Sequence, residues 1–454
     1  MQNDNNPSVL EPAVAANGRT FTVTHKLVLS IAVPMTLAYL TTPLLGLTDT
    51  AVVGQFGDPV LLGGLAAGAI VFDLVFTTFN FLRSGTTGLV AQAYGRGDAR
   101  AEQAWFWRAY AVSILIGLAT IAAAPLIAWV GAWFIGGGEG VTSAMRTYVL
   151  IRLLSAPVAL ANYAILGYVL GRGEALLGLF LQIVLNGCNI ALSIWLGLGL
   201  GWGLEGVAWG TVGGETIAFV VGTLIVLRRF SRLPNPRRAE LLDPAALRQM
   251  VAVNRDIMIR SFVLLGAFAL FTRQGAQLGT LTLAANAVLM NFFLVAGYFL
   301  DGFATAAEQL AGRAVGARHK PAFGDAVRLS SIWGFAMAGI ATVIGLTFGN
   351  DLVAIVTTSE DVRAVAALYL PWAAFTAVSG VLAFQMDGVY IGATWSRDMR
   401  NMMLLSFALF LAALYALPAF FGNHGLWAAL HVFLVVRGFS LGAILPARMR
   451  ATFG

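Results

Sequence analysis

The sequence predicts an all-α integral membrane protein, with twelve transmembrane helices in two six-helix lobes related by a parallel internal repeat. Three observations carry that expectation. Of 454 residues, 58% are hydrophobic and only 11% charged, against roughly a quarter charged in soluble globular chains. Apolar runs of about 20 to 30 residues recur along the chain, each long enough to cross a hydrocarbon core of ~30 Å as a helix. The second half echoes the first at an offset near 221 residues.

Apolar length set against charged or Gly/Pro-rich breaks places the spans at about 27–53, 60–84, 109–134, 146–170, 175–200, 204–227, 257–279, 283–311, 327–349, 363–390, 401–421 and 426–446. The segments between them divide the cations unequally. Twenty-one of the 28 lysines and arginines fall on one side, from Arg19 and Lys26 through Arg172 and the run Arg228 to Arg255 to Arg448 and Arg450. The opposite loops carry only Arg146 and Arg363. By the positive-inside rule both termini are expected in the cytoplasm of a multi-pass protein of the cytoplasmic (inner) membrane. The expected organisation is a cytoplasmic tail over 1–26, an N-lobe over 27–227, a cytoplasmic linker over 228–256, a C-lobe over 257–446 and a tail over 447–454. Residues 1–24 lack the basic-then-apolar order of a cleaved signal, so the first span is expected to be retained. Within the linker, Asp243 followed by Pro244 reads as an N-cap and first-turn proline, predicting a short amphipathic surface helix over "DPAALRQMVAV".

The repeat sets "AQAYGRGDARA" against "GRAVGARHKPA", with Gly95 opposite Gly316, and "GLEGVAW" against "GLWAALH" at an offset of 222. Six spans per unit is an even number, so both units enter from the same side. Such duplication favours a two-lobed transporter with its site near the lobe interface. Charges differ across the repeat: Asn80 corresponds to Asp301, and Glu215 to Arg437.

Within this apolar background the string "LGLTDTAVVG" places Asp49 at the end of more than twenty uncharged residues. A carboxylate in a span faces the protein interior or a water-filled cavity by default. Pro34 in the same helix removes a backbone hydrogen bond and permits a kink. In the fifth span, "LNGCNIALS" puts Asn186, Asn189 and Ser193 on one helical face, where polar groups glue helices together or line a cavity. Asp301 in "YFLDGFA" and Asp387 in "FQMDGVY" are the C-lobe candidates for substrate contact or a proton path, with buried structural carboxylates as the other reading. Glu308, Glu215, Asp73 and Arg83 form a second rank. Asp256 and Arg260 stand four apart and are expected to pair as structural ions. Met35, Met290 and Met386 read as core packing or as an adaptable apolar surface.

The strings "VPMTLAYLTTPLLGLTDTAVVG", "LRSGTTGLVAQAYG", "NRDIMIRS", "NAVLM", "LDGFATAAE", "DGVYIGAT" followed by "MRN", and "GNHGLWAALHVFLVVRGFSLG" occur in order across nearly the whole chain. Together they resemble the DinF branch of the multidrug and toxic compound extrusion (MATE) transporters. The resemblance implies alternating access and export of bulky, often cationic, organic compounds against an inward flow of protons or sodium ions. It makes Asp49 the coupling aspartate of the first helix, Pro34 the proline about which that helix bends, and Asn189 and Thr211 polar members of the N-lobe site. The chain departs from many members at Ser193, where they carry a second aspartate. A sodium site loses a charged oxygen ligand by that change, so protons are the expected coupling ion and sodium the alternative. Burial favours the neutral form of a carboxyl group, and on that basis Asp49 is expected to exchange a proton for a bound organic cation.

Other classes find little support. One cysteine, Cys188, excludes an internal disulfide, and neither a metal site nor any other cofactor is indicated. The only lysines, Lys26 and Lys320, sit in no P-loop. The four histidines are scattered, with no HExxH and no G-x-S-x-G, so no enzyme is expected. The net charge of +6 is dispersed between spans, unlike the clustered basic face that nucleic acid requires. A flippase for lipid-linked precursors is the nearest rival. It would need cations inside the central cavity, drawn from Arg83, Arg152, Arg260, Arg273 and Arg437.

Overall fold

The computed structural model describes residues 21–454, and most of the tail expected over 1–26, including Arg19, lies outside the described residues. Among the described residues all regular structure is helical.

In the first half, three within-span breaks fall just ahead of prolines, whose nitrogen has no hydrogen for the helical ladder, and the fourth, at Phe79–Asn80, has no such proline. Helix α1 (His25–Leu40) opens with the Thr24 hydroxyl accepting from Leu27 N at 3.2 Å. It passes through Pro34 uninterrupted; the ladder lapses instead at Thr41, before Pro43, and resumes as α2 (Thr42–Gly54). The second span is α3 (Pro59–Thr78), capped by Asp58 accepting from Val60 N at 2.8 Å, followed by α4 (Phe81–Arg96). The third is α5 (Ala99–Ala122) and α6 (Ala124–Ile135), divided before Pro125. The fourth, α7 (Glu139–Leu153) and α8 (Ala156–Gly171), bends by 53° before Pro157. Helix α9 (Ala175–Ile194) ends in a π-helical turn over Trp195–Gly199, and α10 (Gly203–Phe230) closes the first half.

After the short α11 (Arg238–Leu241), Asp243 caps α12 (Pro244–Gln277), its carboxylate accepting from Ala245 N at 3.0 Å. The cap and the first-turn proline stand where the sequence put them. The separate surface helix does not form: α12 continues for 34 residues into the seventh span, because no proline follows Pro244 to stop it. Then come α13 (Thr280–Gly316), α14 (Lys320–Val356), α15 (Glu360–Gly392) and α16 (Ser396–Phe453).

Nine of the described helices are long and apolar enough to cross a membrane, or ten with the bent α7–α8 pair as one span. Two more follow from the geometry. Helix α16 holds 58 residues, about 87 Å at ~1.5 Å per residue, and Gly422 breaks it with φ 55° and ψ −132° between the two spans read from sequence. Helix α12 carries Arg248, Arg255, Asp256, Arg260 and Arg273, yet its apolar stretch from Ile257 onward packs along α16 and α13 as a member of the bundle. The total is twelve.

The repeat is visible as matched close approaches. A Cβ on Gly167 would lie 2.6 Å from Arg83 O and one on Gly171 2.8 Å from Thr87 O; 221 residues later, Gly388 and Gly392 would stand 2.1 and 2.0 Å from Ala304 O and Glu308 O. Helices α4 and α8 thus pack as α13 and α15 do. The lobes meet where α4 crosses α13: a Cβ on Gly95 would be 2.2 Å from Arg313 O, and one on Gly316 2.0 Å from Gln92 O. Left-handed turns recur too. Gly97 (φ 75°) and Gly173 (φ 80°) in the first half are replaced by Arg318 (φ 51°) and Thr394 (φ 56°) in the second.

Candidate functional site

A polar cavity of about 490 Å³ lies in the first lobe, with Tyr298 of the second on its wall. Asp49, Asn186, Asn189 and Thr211 all line it, so the four N-lobe positions singled out from sequence share one space. Small residues position them. A Cβ on Gly210 or Gly214 of α10 would sit 2.5 Å from Ser193 N or 2.7 Å from Asn189 N, and this close approach packs the polar face of α9 against α10. Asp49 is 6% exposed, and its Oδ1 has no hydrogen-bond partner among the described residues. Of its neighbours, Ser193 reaches the Asp49 carboxylate, and the polar groups otherwise bond one another or the backbone. Asn186 donates to the Thr41 hydroxyl at 2.5 Å, Ser193 to the Asn189 carbonyl at 3.1 Å, and Thr211 to Val207 O at 3.2 Å. Asn186 therefore ties this cavity to the break in the first span, and Thr41 in turn donates to Ala38 O at 2.6 Å. Pro34 lies deeper in α1, buried and inside unbroken helix.

In the sequence Arg152 is only one of five arginines within the spans. It stands at the α7–α8 bend and pairs with Glu215 at 3.5 Å, donates to the Tyr148 hydroxyl at 2.8 Å, and lies 3.7 Å over the Phe72 ring. Ser155 also donates to the Glu215 carboxylate, and Asn162 to its backbone carbonyl at 2.9 Å. With Asp73 on the same wall, the cavity holds three carboxylates and one guanidinium.

A second cavity of about 440 Å³ lies between the lobes and shares Thr42, Tyr163 and Tyr298 with the first. Asp301 and Asp387 line it with Arg83, Arg260 and Glu308. Asp301 is exposed to that space. Asp387 is buried, and both Arg260 and Arg437 donate to its Oδ2. Arg83 of the first lobe faces Glu308 of the second at 3.7 Å. The expected Asp256–Arg260 pair is not made. Asp256 takes Arg400 at 2.7 Å, Arg255 at 3.1 Å and the Ser396 hydroxyl at 3.2 Å. The buried carboxylate of Asp387 requires compensation from within the bundle, and Arg260 supplies it. Arg273, by contrast, is exposed at the far end of α12. No group of three or more metal-ligating side chains occurs among the described residues.

Two lobes of repeated helices enclosing linked, charged cavities inside a membrane-spanning bundle define a two-lobed membrane transporter. The MatE family profile matches residues 34–195 and 257–416, one stretch in each lobe. The chain belongs to this family of multidrug and toxic compound extrusion transporters, in its DinF branch. It is 39% identical to DNA damage-inducible protein F of Escherichia coli K12, over 93% of this chain and 92% of that one. It is 26% identical to the chloroplastic protein DETOXIFICATION 44 of Arabidopsis thaliana, over 90% and 80% of the two chains. Among solved structures, a MOP superfamily transporter from Pyrococcus furiosus, described by a reversed polarity of its binding pocket, superposes with a TM-score of 0.85 at 16% identity, over 96% of this chain and 100% of that one. The Vibrio cholerae MATE transporter VcmN in its bent form gives 0.83 at 20% identity, over 94% and 97%.

Proposed function

We propose that this chain is a proton-coupled secondary antiporter that exports bulky, often cationic, organic compounds by alternating access. It works across the cytoplasmic membrane with both termini inside. The observation that carries the reading is Asp49, a buried carboxylate with an unpartnered oxygen, in a cavity where acids outnumber cations three to one. An organic cation entering there is drawn by Asp49 and Asp73 and by the aromatic rings of Phe76 and Tyr148. A volume of this size suits a drug-sized ligand. A proton arriving from the outer side neutralises Asp49 and removes its attraction for the cation. It also changes what the neighbouring Asn186 and Asn189 amides face. Asn186 holds Thr41, so the change reaches the interrupted first helix, with bending distributed between Thr41 and Pro34.

The domain assignment follows the same reading: N-lobe through residue 227, linker to 256, C-lobe from 257. The flippase alternative has one observation in its favour, the guanidinium groups of Arg83 and Arg260 on the wall of the central cavity and of Arg437 buried against Asp387. They face the carboxylates of Glu308 and Asp387, and Asp301 on the same wall brings the acids to three, which leaves no excess positive charge for a lipid phosphate.

The test is efflux of a fluorescent cationic dye by inverted vesicles, under an imposed pH gradient and separately under an imposed sodium gradient. The expected result is transport driven by the pH gradient alone and lost in Asp49→Asn, with expression and thermal stability retained. Transport driven by sodium alone, or an active Asp49→Asn, overturns proton coupling through this residue.

A further inference from the structure

The duplication provides an internal comparison at the arginine-rich end of each lobe. In the first lobe Arg172 donates to Glu102, and Arg172 and Arg229 both donate to Glu174, at 3.1 and 2.7 Å. The offsets of 221 and 222 place Phe323, Ala393, Trp395 and Ala451 at the matching positions of the second lobe. There Phe323 packs against Trp395 and Phe453 with ring centroids 5.6 and 5.4 Å apart. Apolar packing therefore satisfies this corner of the architecture without any charge. A partly exposed ion network is weak support for a fold, so the four charges in the first lobe call for another role.

Glu102, Arg172 and Arg229 line a pocket of about 420 Å³ between the ends of α5, α8 and α10, with Glu174 bonded to the two arginines behind it. Its open side is rimmed by Arg228 and Arg232, both exposed, one helical turn apart, and neither paired with an acid among the described residues. Four arginines against two glutamates leave two positive charges over. On α10 the outward side chains Val220, Leu224 and Leu227 are 45%, 60% and 41% exposed and descend at helical spacing to Arg228. An exposed apolar strip on a helix long enough to span a membrane thus ends in a basic pocket at that helix's end, a juxtaposition that suits an amphiphile and gives a soluble anion no use for the strip.

We infer that this pocket binds the phosphate-ester headgroup of an anionic phospholipid of the cytoplasmic leaflet, with its acyl chains along the α10 strip. The phosphate engages Arg228 and Arg232, while Glu102 and Glu174 hold Arg172 and Arg229 in place behind it. The site shares no residue with the transport cavities and is read out by binding alone.

Native mass spectrometry of the full-length protein, released from vesicles of equal phosphatidylglycerol and phosphatidylcholine, tests this. Phosphatidylglycerol is expected to be retained preferentially. Arg228→Gln and Arg232→Gln should each lower that affinity about fivefold, and about thirtyfold together. The pair Arg96→Gln and Arg100→Gln, exposed on the same face, removes the same charge elsewhere and should leave retention unchanged. Excess inorganic phosphate should not displace the lipid. Equal retention of both lipids, equal loss in the two double variants, or displacement by phosphate overturns the inference; the last makes the occupant a soluble anion.

Discussion

Arg152 shows what a single residue does in this lobe. It lies where α7 gives way to α8, and its guanidinium is held by Glu215, Tyr148 and the face of Phe72. Glu215 is only 7% exposed, so removing its partner leaves an uncompensated buried charge. Arg152→Ala is expected to destabilise the protein by about 3–5 kcal/mol, read as a large fall in melting temperature in detergent. Replacing both members with leucine removes the two charges together and should recover most of that loss. The double variant keeps Asp49 and Asp73, hence the same excess of two negative charges in the cavity, and dye binding should survive in it. A double variant as unstable as the single one would show that the pair's hydrogen bonds to Ser155 and Tyr148, rather than charge compensation, hold this corner together.

At the scale of elements, much was legible because helices crossing a bilayer must be long, apolar and bounded. The gap expected between residues 421 and 426 is the Gly422 break, and the Gly95–Gly316 correspondence is the crossing of α4 and α13. The clustering of Asp49, Asn189 and Thr211 came from family resemblance together with the polar face of α9. What stayed hidden depended on neighbours distant in the chain. Spacing of four residues suggested Asp256 with Arg260, yet a partner 127 residues away captured Arg260. The break at Thr41 was masked because Pro34 and Pro43 offer the same local signal, and tertiary packing decides which one interrupts the ladder. The repeat also exposes local strain. Arg318 adopts a left-handed turn where the first lobe uses Gly97, a conformation costing a non-glycine residue about 1–2 kcal/mol. Glycine's greater freedom in the unfolded chain offsets up to ~1 kcal/mol of any relief. Arg318→Gly is therefore expected to stabilise by up to about 1 kcal/mol, measured by thermal unfolding. Thr394→Gly should gain less, because the Thr394 hydroxyl accepts from Gln92 Nε2 across the lobe interface at 3.0 Å.

Over the whole molecule, the two lobes touch most closely on the arginine-rich half. Gln92 of the first lobe reaches Gly392 O and Thr394 of the second at 3.1 and 3.0 Å, Tyr39 meets Thr305 at 2.9 Å, and Arg83 faces Glu308. At the centre of this seal the backbones of α4 and α13 approach so closely that neither Gly95 nor Gly316 leaves room for a methyl group. The obstructing atoms are backbone oxygens on the opposite helix, and no side-chain rotation can move them. Alternating access requires these surfaces to part and reseal, so the glycine pair sets how tightly the protein closes on this face. Gly316→Val is expected to shift the population toward the state open on the arginine-rich side. Spin labels at positions 100 and 325, on the two lobes beside the crossing, should report a longer mean separation by double electron–electron resonance. Gly187→Val, at a helical site where a Cβ meets nothing within 4 Å, serves as the control and should leave that distance unaltered. If the separation stays the same in Gly316→Val while the protein remains folded, the crossing is a rigid pivot and the lobes part about some other contact.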